Sequence, residues 1–173
     1  KEALRYRTAL FDGGQSLKHR PLSTKTAAEI CSTIKGAEID IRSTPGTALL
    51  NEAARKIVYT PPEGEALLRG LLANWEGYIH AGTDIDSIIR MAVSHYQFEA
   101  IHPFLDGNGR VGRLLIMLLL VEQGMLPSPL LYLSAFFEAT RDEYYKNLYN
   151  VSTQGAWNEW LLYFLNGVAV QGL

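Results

Sequence analysis

The run His102-Pro103-Phe104-Leu105-Asp106-Gly107-Asn108-Gly109-Arg110-Val111-Gly112-Arg113 sets a base, a metal-capable carboxylate, a glycine-flanked bend and two cations side by side. That combination is the chemistry of a phosphate-handling site. Gly107 and Gly109 permit backbone angles that other residues resist, and a helix beginning there leaves its first amides unpaired, so the bend is a candidate anion cradle. Asn108 between them can enter left-handed geometry or donate its amide to a phosphate oxygen; capping the helix through its side-chain oxygen is the structural alternative. Arg110 and Arg113, three apart, fall broadly on one side of that helix at its amide end. Two cations there oppose the helix dipole, and a bound polyphosphate would resolve the conflict; a surface ion pair is the plainer role for either one. Asp106 is a single hard oxygen ligand, suited to Mg²⁺ if substrate phosphates and water complete the shell, or else a cap on the turn. His102 titrates near neutrality and is the candidate base for an alcohol or phenol attacking phosphorus. His19, His80 and His95 lack this setting, and His95, seven residues upstream, reads as a packing or surface residue.

Positioning these groups requires a helix on each side of the run. Leu67, Leu68, Leu71, Leu72, Trp75 and Ile79 recur at helical spacing over Glu65 to His80; Ile85, Ile88, Ile89, Ala92, Val93 and Tyr96 do so in a helix capped by Asp84 or Asp86 and ending near Phe98. The next helix is expected over Arg110 to Gln123, with Gly124 at its end. Because Leu114 to Val121 is apolar all round, this is the expected central helix. Upstream, Lys1 to Leu10 is a short helical segment, Asp12-Gly13-Gly14 and His19-Arg20-Pro21 punctuate a loop, and Thr24 to Lys35 is a helix capped by Ser23 or Thr24. Between Asp40 and Gly64 the periodicity fails. Lys56 to Thr60 is the one convincing extended segment, stopped by Pro61-Pro62, and a lone strand among helices is best completed as a small hairpin. Pro127 and Pro129 precede the segment Leu130 to Phe137. Arg141 to Val151 and the tryptophan-bearing Ala156 to Val170 complete an all-α bundle carrying a β-hairpin flap over residues 56–62.

The 173 residues fit a single domain, since domains usually hold about 50 to 250 residues. A formal charge of -2 supplies no field for a nucleic-acid backbone, which excludes a polynucleotide partner and makes any anion binding local. The lone Cys31 excludes an intrachain disulfide, reads as an inert buried thiol and fits a reducing, cytoplasmic compartment. Membrane insertion is not expected, because the apolar run Leu114 to Val121 is well short of the about 20 residues that span a bilayer. A start at Lys1 reads as a piece excised from a longer protein.

The run from His102 to Arg113 resembles the signature of Fic-domain proteins, best known for transferring AMP from ATP to a hydroxyl of a target protein. The resemblance extends through Pro45-Gly46-Thr47, Val58-Tyr59-Thr60-Pro61-Pro62, Tyr96-Gln97-Phe98-Glu99-Ala100-Ile101 and Leu131-Tyr132-Leu133-Ser134. It implies a Mg²⁺-dependent nucleotidyltransferase in which His102 deprotonates a Tyr, Thr or Ser and Asp106 holds Mg²⁺ against the α and β phosphates of ATP. Gly107, Asn108 and Gly109 would cradle the anion, Arg113 would hold the γ phosphate, and Arg110 would support the polyphosphate or the local fold. It also implies that a target segment docks along Ile57, Val58, Tyr59 and Thr60, and that Tyr144 and Tyr145 help wall the adenine. Reading the residues alone does not select AMP over another phosphate-containing group.

The inhibitory Ser/Thr-x-x-x-Glu-Gly/Asn helix common in such proteins has no match; Ser32 to Gly36 has Lys35 before its glycine. In the branch this chain resembles that helix precedes the core, so autoinhibition from upstream, or by a separate antitoxin, is the implied control. A related phosphotransferase, an enzyme that removes AMP, and a non-catalytic nucleotide-binding scaffold are the competing functions; Gly109 and Arg113 favour AMP transfer over phosphate transfer. A helical domain with an exposed flap can also form a homodimer, although no pairing surface is assignable.

Overall fold

The structure, a computed structural model, describes residues 2–51, 56–82, 84–127 and 131–172, without the side chains of Leu50, Asn51 and Lys56. Among these, helices α1 (Glu2–Ser16), α2 (Thr24–Lys35), α3 (Glu65–Ile79), α4 (Ser87–Ile101), α5 (Asn108–Glu122), α6 (Leu133–Ala139), α7 (Arg141–Gln154) and α8 (Trp157–Gly172) form an all-α bundle. Ser23 opens α2 in a reciprocal capping box with Thr26, and Gly36 closes it in the left-handed region, as the expected Thr24–Lys35 bounds require. Asp86 accepts from the Ile88 and Ile89 amides to start α4.

Helix α5 is enclosed, with Leu114 to Leu120 buried without a break, and it packs against α1, α2 and α4. Its partner α4 is fixed from both sides. The buried Trp75 of α3 donates its indole N–H to Ser94 O at 3.1 Å, and the buried Trp160 of α8 donates to Ala92 O at 2.9 Å. Each indole satisfies its polar edge while burying its rings, so these bonds fix α4 without leaving a donor stranded. What they fix most usefully is its C-terminal end, where His102 sits.

Several boundaries differ from expectation. Helix α1 continues through Asp12-Gly13-Gly14 to Ser16, where the glycines predict a loop. Gly13 is an interhelical contact: a methyl group there would come within 2.8 Å of Leu118 Cδ1, so its smallness lets α1 approach α5. Helix α4 extends past Phe98 to Ile101, and α5 begins two residues before Arg110. Pro129 and Leu130 lie outside the described residues, and the helix that follows starts at Leu133.

Two short strands, β1 (Leu49–Asn51) and β2 (Lys56–Tyr59), pair antiparallel with Leu49 opposite Tyr59 and a register shift after Leu49. The residues joining them are outside the described range. No further strand borders β2 among the described residues.

Candidate active site

The site forms where α4 ends and α5 begins. His102 is the C-cap of α4, its amide donating to Phe98 O, and it is the one non-glycine residue at positive φ (52°) among the described residues. That left-handed turn reverses the chain and sends Pro103 to Asp106 back towards α5. Phe104, fully buried, anchors the loop beside Phe98. Leu105 and Asp106 are exposed.

Asn108 does not do what an open anion donor would. It is 2% exposed, accepts from the Phe104 amide at 2.9 Å and donates to Phe104 O at 2.7 Å, so its side chain brackets the loop from inside. Its backbone is helical; the left-handed position belongs to Gly107, the N-cap of α5, at φ 94°. No side chain caps α5. The Val111 amide is the first to bond back, to Gly107 O, which leaves the amides of residues 108–110 open at the helix N-terminus. The open donors here are backbone amides, and the asparagine side chain is engaged within the loop.

The two arginines separate. Arg110 pairs with Glu2 at the start of α1 and lies 3.4 Å from Asp106, so carboxylates already balance its charge and it ties α1 to the loop. Arg113 folds back so that Nη1 would lie 3.2 Å from a Cβ at Gly109, and its buried Nε has no partner among the described residues. A cation with donors to spare beside open amides suits a polyanion.

Behind Arg113 lies a buried polar layer that no sequence motif signals. Glu99 is half-buried, with one carboxylate oxygen buried and unpartnered among the described residues, and it occupies the space that a Cβ at Gly112 would need. Burial raises its pKa to about 7, opposed by the nearby Arg113 charge. His95 accepts or donates at the Tyr144 hydroxyl at 2.8 Å, and burial followed by Arg113 drives its pKa down to about 3. His95 is therefore a core histidine. Tyr144 belongs to the same layer, 3% exposed and stacked on Phe137, so the expected adenine wall is corrected for this residue: its ring is already packed among core aromatics. Tyr145, half exposed beside Arg141, keeps a free face.

Burial, then the charge of Arg42, lowers the His102 pKa to about 4, with the Glu99 carbonyl and Asp106 acting the other way. At neutral pH the imidazole is uncharged and able to accept a proton. Asp106, exposed, is held below the ordinary carboxylate range by Lys35, which ion-pairs with it, helped by the Gly107 amide and Arg110. Lys35 is legible in the sequence only as the last residue of α2. Cys31, one turn earlier, supports the loop from below with Sγ 3.6 Å from Asp106 O; burial raises its thiol to about 11, as expected of an inert cysteine. Among the described residues no three potential metal ligands gather, so a cation at Asp106 would need oxygens from its substrate.

Of the flap residues, Ile57, Val58 and Thr60 are exposed, and Tyr59 turns inward to donate its hydroxyl to Ala100 O at 2.7 Å. Among the described residues no helix is long and apolar enough to cross a membrane.

The chain is similar to known proteins. A probable protein adenylyltransferase of Aquifex aeolicus is 42% identical over 66 residues, 38% of this chain and 20% of its own. The protein adenylyltransferase fic-1 of Caenorhabditis elegans is 43% identical over 65 residues, 38% of this chain and 12% of its own. The chain thus matches a fifth or less of the length of these curated relatives. The solved structure of Fic-1 from C. elegans superposes with a TM-score of 0.71 at 26% identity, covering 99% of this chain and 49% of that one. A Fic family protein of Desulfovibrio desulfuricans gives 0.78 at 19% identity, with 99% and 52% covered, and so speaks for the fold alone. The Fic/DOC family model matches residues 21–120, more than half of the chain and the whole of the His102–Arg113 run, and the chain belongs to the Fic/DOC family.

Proposed function

We propose that the chain is a protein adenylyltransferase, transferring AMP from ATP to a Tyr, Thr or Ser hydroxyl of a target protein and releasing pyrophosphate. The observation that carries this reading is the loop between α4 and α5, where a neutral imidazole, an exposed carboxylate and an uncapped helix N-terminus with Arg113 converge. Similarity to relatives named as adenylyltransferases supports it.

His102 accepts the proton of the target hydroxyl as its oxygen bonds to the α phosphorus. The bond from that phosphorus to the oxygen bridging to the β phosphate breaks, and pyrophosphate leaves with the bridging oxygen. An imidazole lowered to about 4, with Asp106 already acting on it, is a weak base in isolation, but a polyanion beside it favours its protonated form as transfer proceeds. The amides of Asn108, Gly109 and Arg110 hold phosphate oxygens, and Arg113 binds the γ phosphate and orients the α phosphate. Asp106 would hold Mg²⁺, which would supply positive charge against the phosphates. Arg110 acts on the fold by fastening α1, and Tyr145 offers a face to the adenine. The strand β2 presents its outer edge to an extended target segment, whose backbone would add beside it.

Incubation with ATP, Mg²⁺ and candidate targets, followed by intact-mass measurement, tests this directly. The expected product carries added AMP, and His102→Ala lowers its formation by at least about 100-fold. Added phosphate instead of AMP would overturn the assignment.

A further inference from the structure

Arg42 lies in the irregular stretch between α2 and β1, yet it is 3% exposed. Burying a guanidinium is costly unless its donors are met, and here backbone carbonyls meet them. The Arg42 Nε donates to His102 O at 2.8 Å; Nη2 donates to Pro62 O at 2.6 Å and, more distantly, to Ile101 O at 3.4 Å. The Arg42 amide donates to Pro103 O at 2.9 Å. Tyr59 Oη supplies the bond to Ala100 O at 2.7 Å.

Ordered along the chain, these bonds form a series. The carbonyls of Ala100, Ile101, His102 and Pro103 are consecutive; the first three belong to the groups that the end of α4 leaves unpaired, and Pro103 follows its cap. All four accept from the flap strand or from Arg42. The same guanidinium also grips Pro62, the residue that ends the flap segment. A fixed cation at the C-terminus of α4 further suits the helix dipole, and the bond to His102 O opposes relaxation of a left-handed backbone angle that is unfavourable for a non-glycine residue.

We propose that Arg42, assisted by Tyr59, is a positioning residue that makes the flap and the His102 turn one mechanical unit, so that a hydroxyl carried by a docked segment meets the imidazole in a fixed register. The proposal rests on the AMP-transfer reading for its purpose, but its test does not depend on transfer. Arg42→Lys keeps a charge but lacks the planar fork that spans Pro62 and His102. Tyr59→Phe deletes one bond and buries no new charge, so it remains informative if the arginine variant folds poorly.

Hydrogen exchange read by mass spectrometry on the whole chain, together with NMR of labelled histidine, measures the coupling. Both variants are expected to speed exchange about tenfold in residues 57–60 and in 101–106 together, and both are expected to shift the His102 ring resonances. The groups facing that ring, Arg42, Asp106 and the Glu99 carbonyl, are unchanged in Tyr59→Phe, so a shift there must travel through the backbone. Affinity for ATP with Mg²⁺ is expected to stay within about threefold, since neither side chain reaches the amides of α5. Faster exchange in the flap alone, with the 101–106 segment and the His102 resonances unmoved, would overturn the coupling. Wild-type protein that fails to bind ATP would instead overturn the proposed function and leave the coupling result standing.

Discussion

At the His102 end of the loop the polar partners are backbone carbonyls in half-buried bonds, whereas four residues later Asp106 meets Lys35 and Arg110 at the surface. The two ends answer to different physics. Interior bonds resist exchange because an unmet partner there keeps its full desolvation cost, while exposed ion pairs trade readily with water and ions. The loop thus holds His102 through backbone bonds and leaves Asp106 in pairs that exchange with solvent. Arg110 and Arg113 repeat the division on α5: the first is engaged by carboxylates at the surface, and the second keeps a buried donor unmet beside open amides.

The bracket between the two ends offers the largest test. Asn108→Ala strands the amide and carbonyl of the fully buried Phe104, and two such groups put the expected loss at about 4 kcal/mol of folding stability. Urea unfolding measures it. A loss under about 1 kcal/mol would mean that the loop does not depend on its interior bonds, and the contrast between its ends would fail.

Glu99 tests whether the interior behind Arg113 is as closed as it looks. Its native pKa of about 7 lies above the ordinary value of 4.5, so its contribution is intact below pH 4.5 and lost as pH rises through 7. Glu99→Gln is therefore expected to match wild type near pH 4 and to become more stable by roughly 3 kcal/mol at pH 8. Thermal or urea unfolding across that range reads the difference. A gap that is constant with pH would show that water or Arg113 already satisfies the carboxylate, placing this region with the surface end.

How much of this is legible in the sequence follows the same division between local and distant contacts. The Thr24–Lys35 helix is readable because Ser23, Thr26 and Gly36 mark its ends within the chain itself. The enclosed α5 is readable from its unbroken apolar run, and the residue types of the His102–Arg113 run point to phosphate chemistry before any geometry. Gly13 and Gly14 mislead because glycine signals a break locally, while the reason for Gly13 is Leu118 on another helix. Tyr144 misleads for a similar reason: its place is set by His95, Phe137 and Trp160. Lys35 and Arg42 lie about sixty to seventy positions from the loop groups they touch, and no periodicity encodes such meetings. The residue pattern thus announces the reacting groups more clearly than the residues that hold them.

Lys35 provides the smallest effect on folding and the sharpest test of exchange at the surface end. Its side chain and that of Asp106 are 32% and 64% exposed, so the pair should add no more than about 1 kcal/mol to stability, and Lys35→Met should barely move the melting temperature. Its effect on ligands should be larger than its effect on the fold. In the free protein the ammonium occupies the carboxylate expected to hold Mg²⁺, and a cation entering there must displace it. Removing the ammonium therefore lowers the Mg²⁺ concentration needed for half-maximal ATP binding, by up to about fivefold, the equivalent of that 1 kcal/mol. Calorimetry of ATP binding at stepped Mg²⁺ reads it without reference to transfer. The gap between variant and wild type should narrow at about 0.5 M salt, because salt screens the exposed pair in the wild type and leaves methionine indifferent. A higher Mg²⁺ requirement in Lys35→Met would reverse the argument: the lysine would then be gripping the nucleotide, and the surface end would hold its partners as firmly as the interior one does.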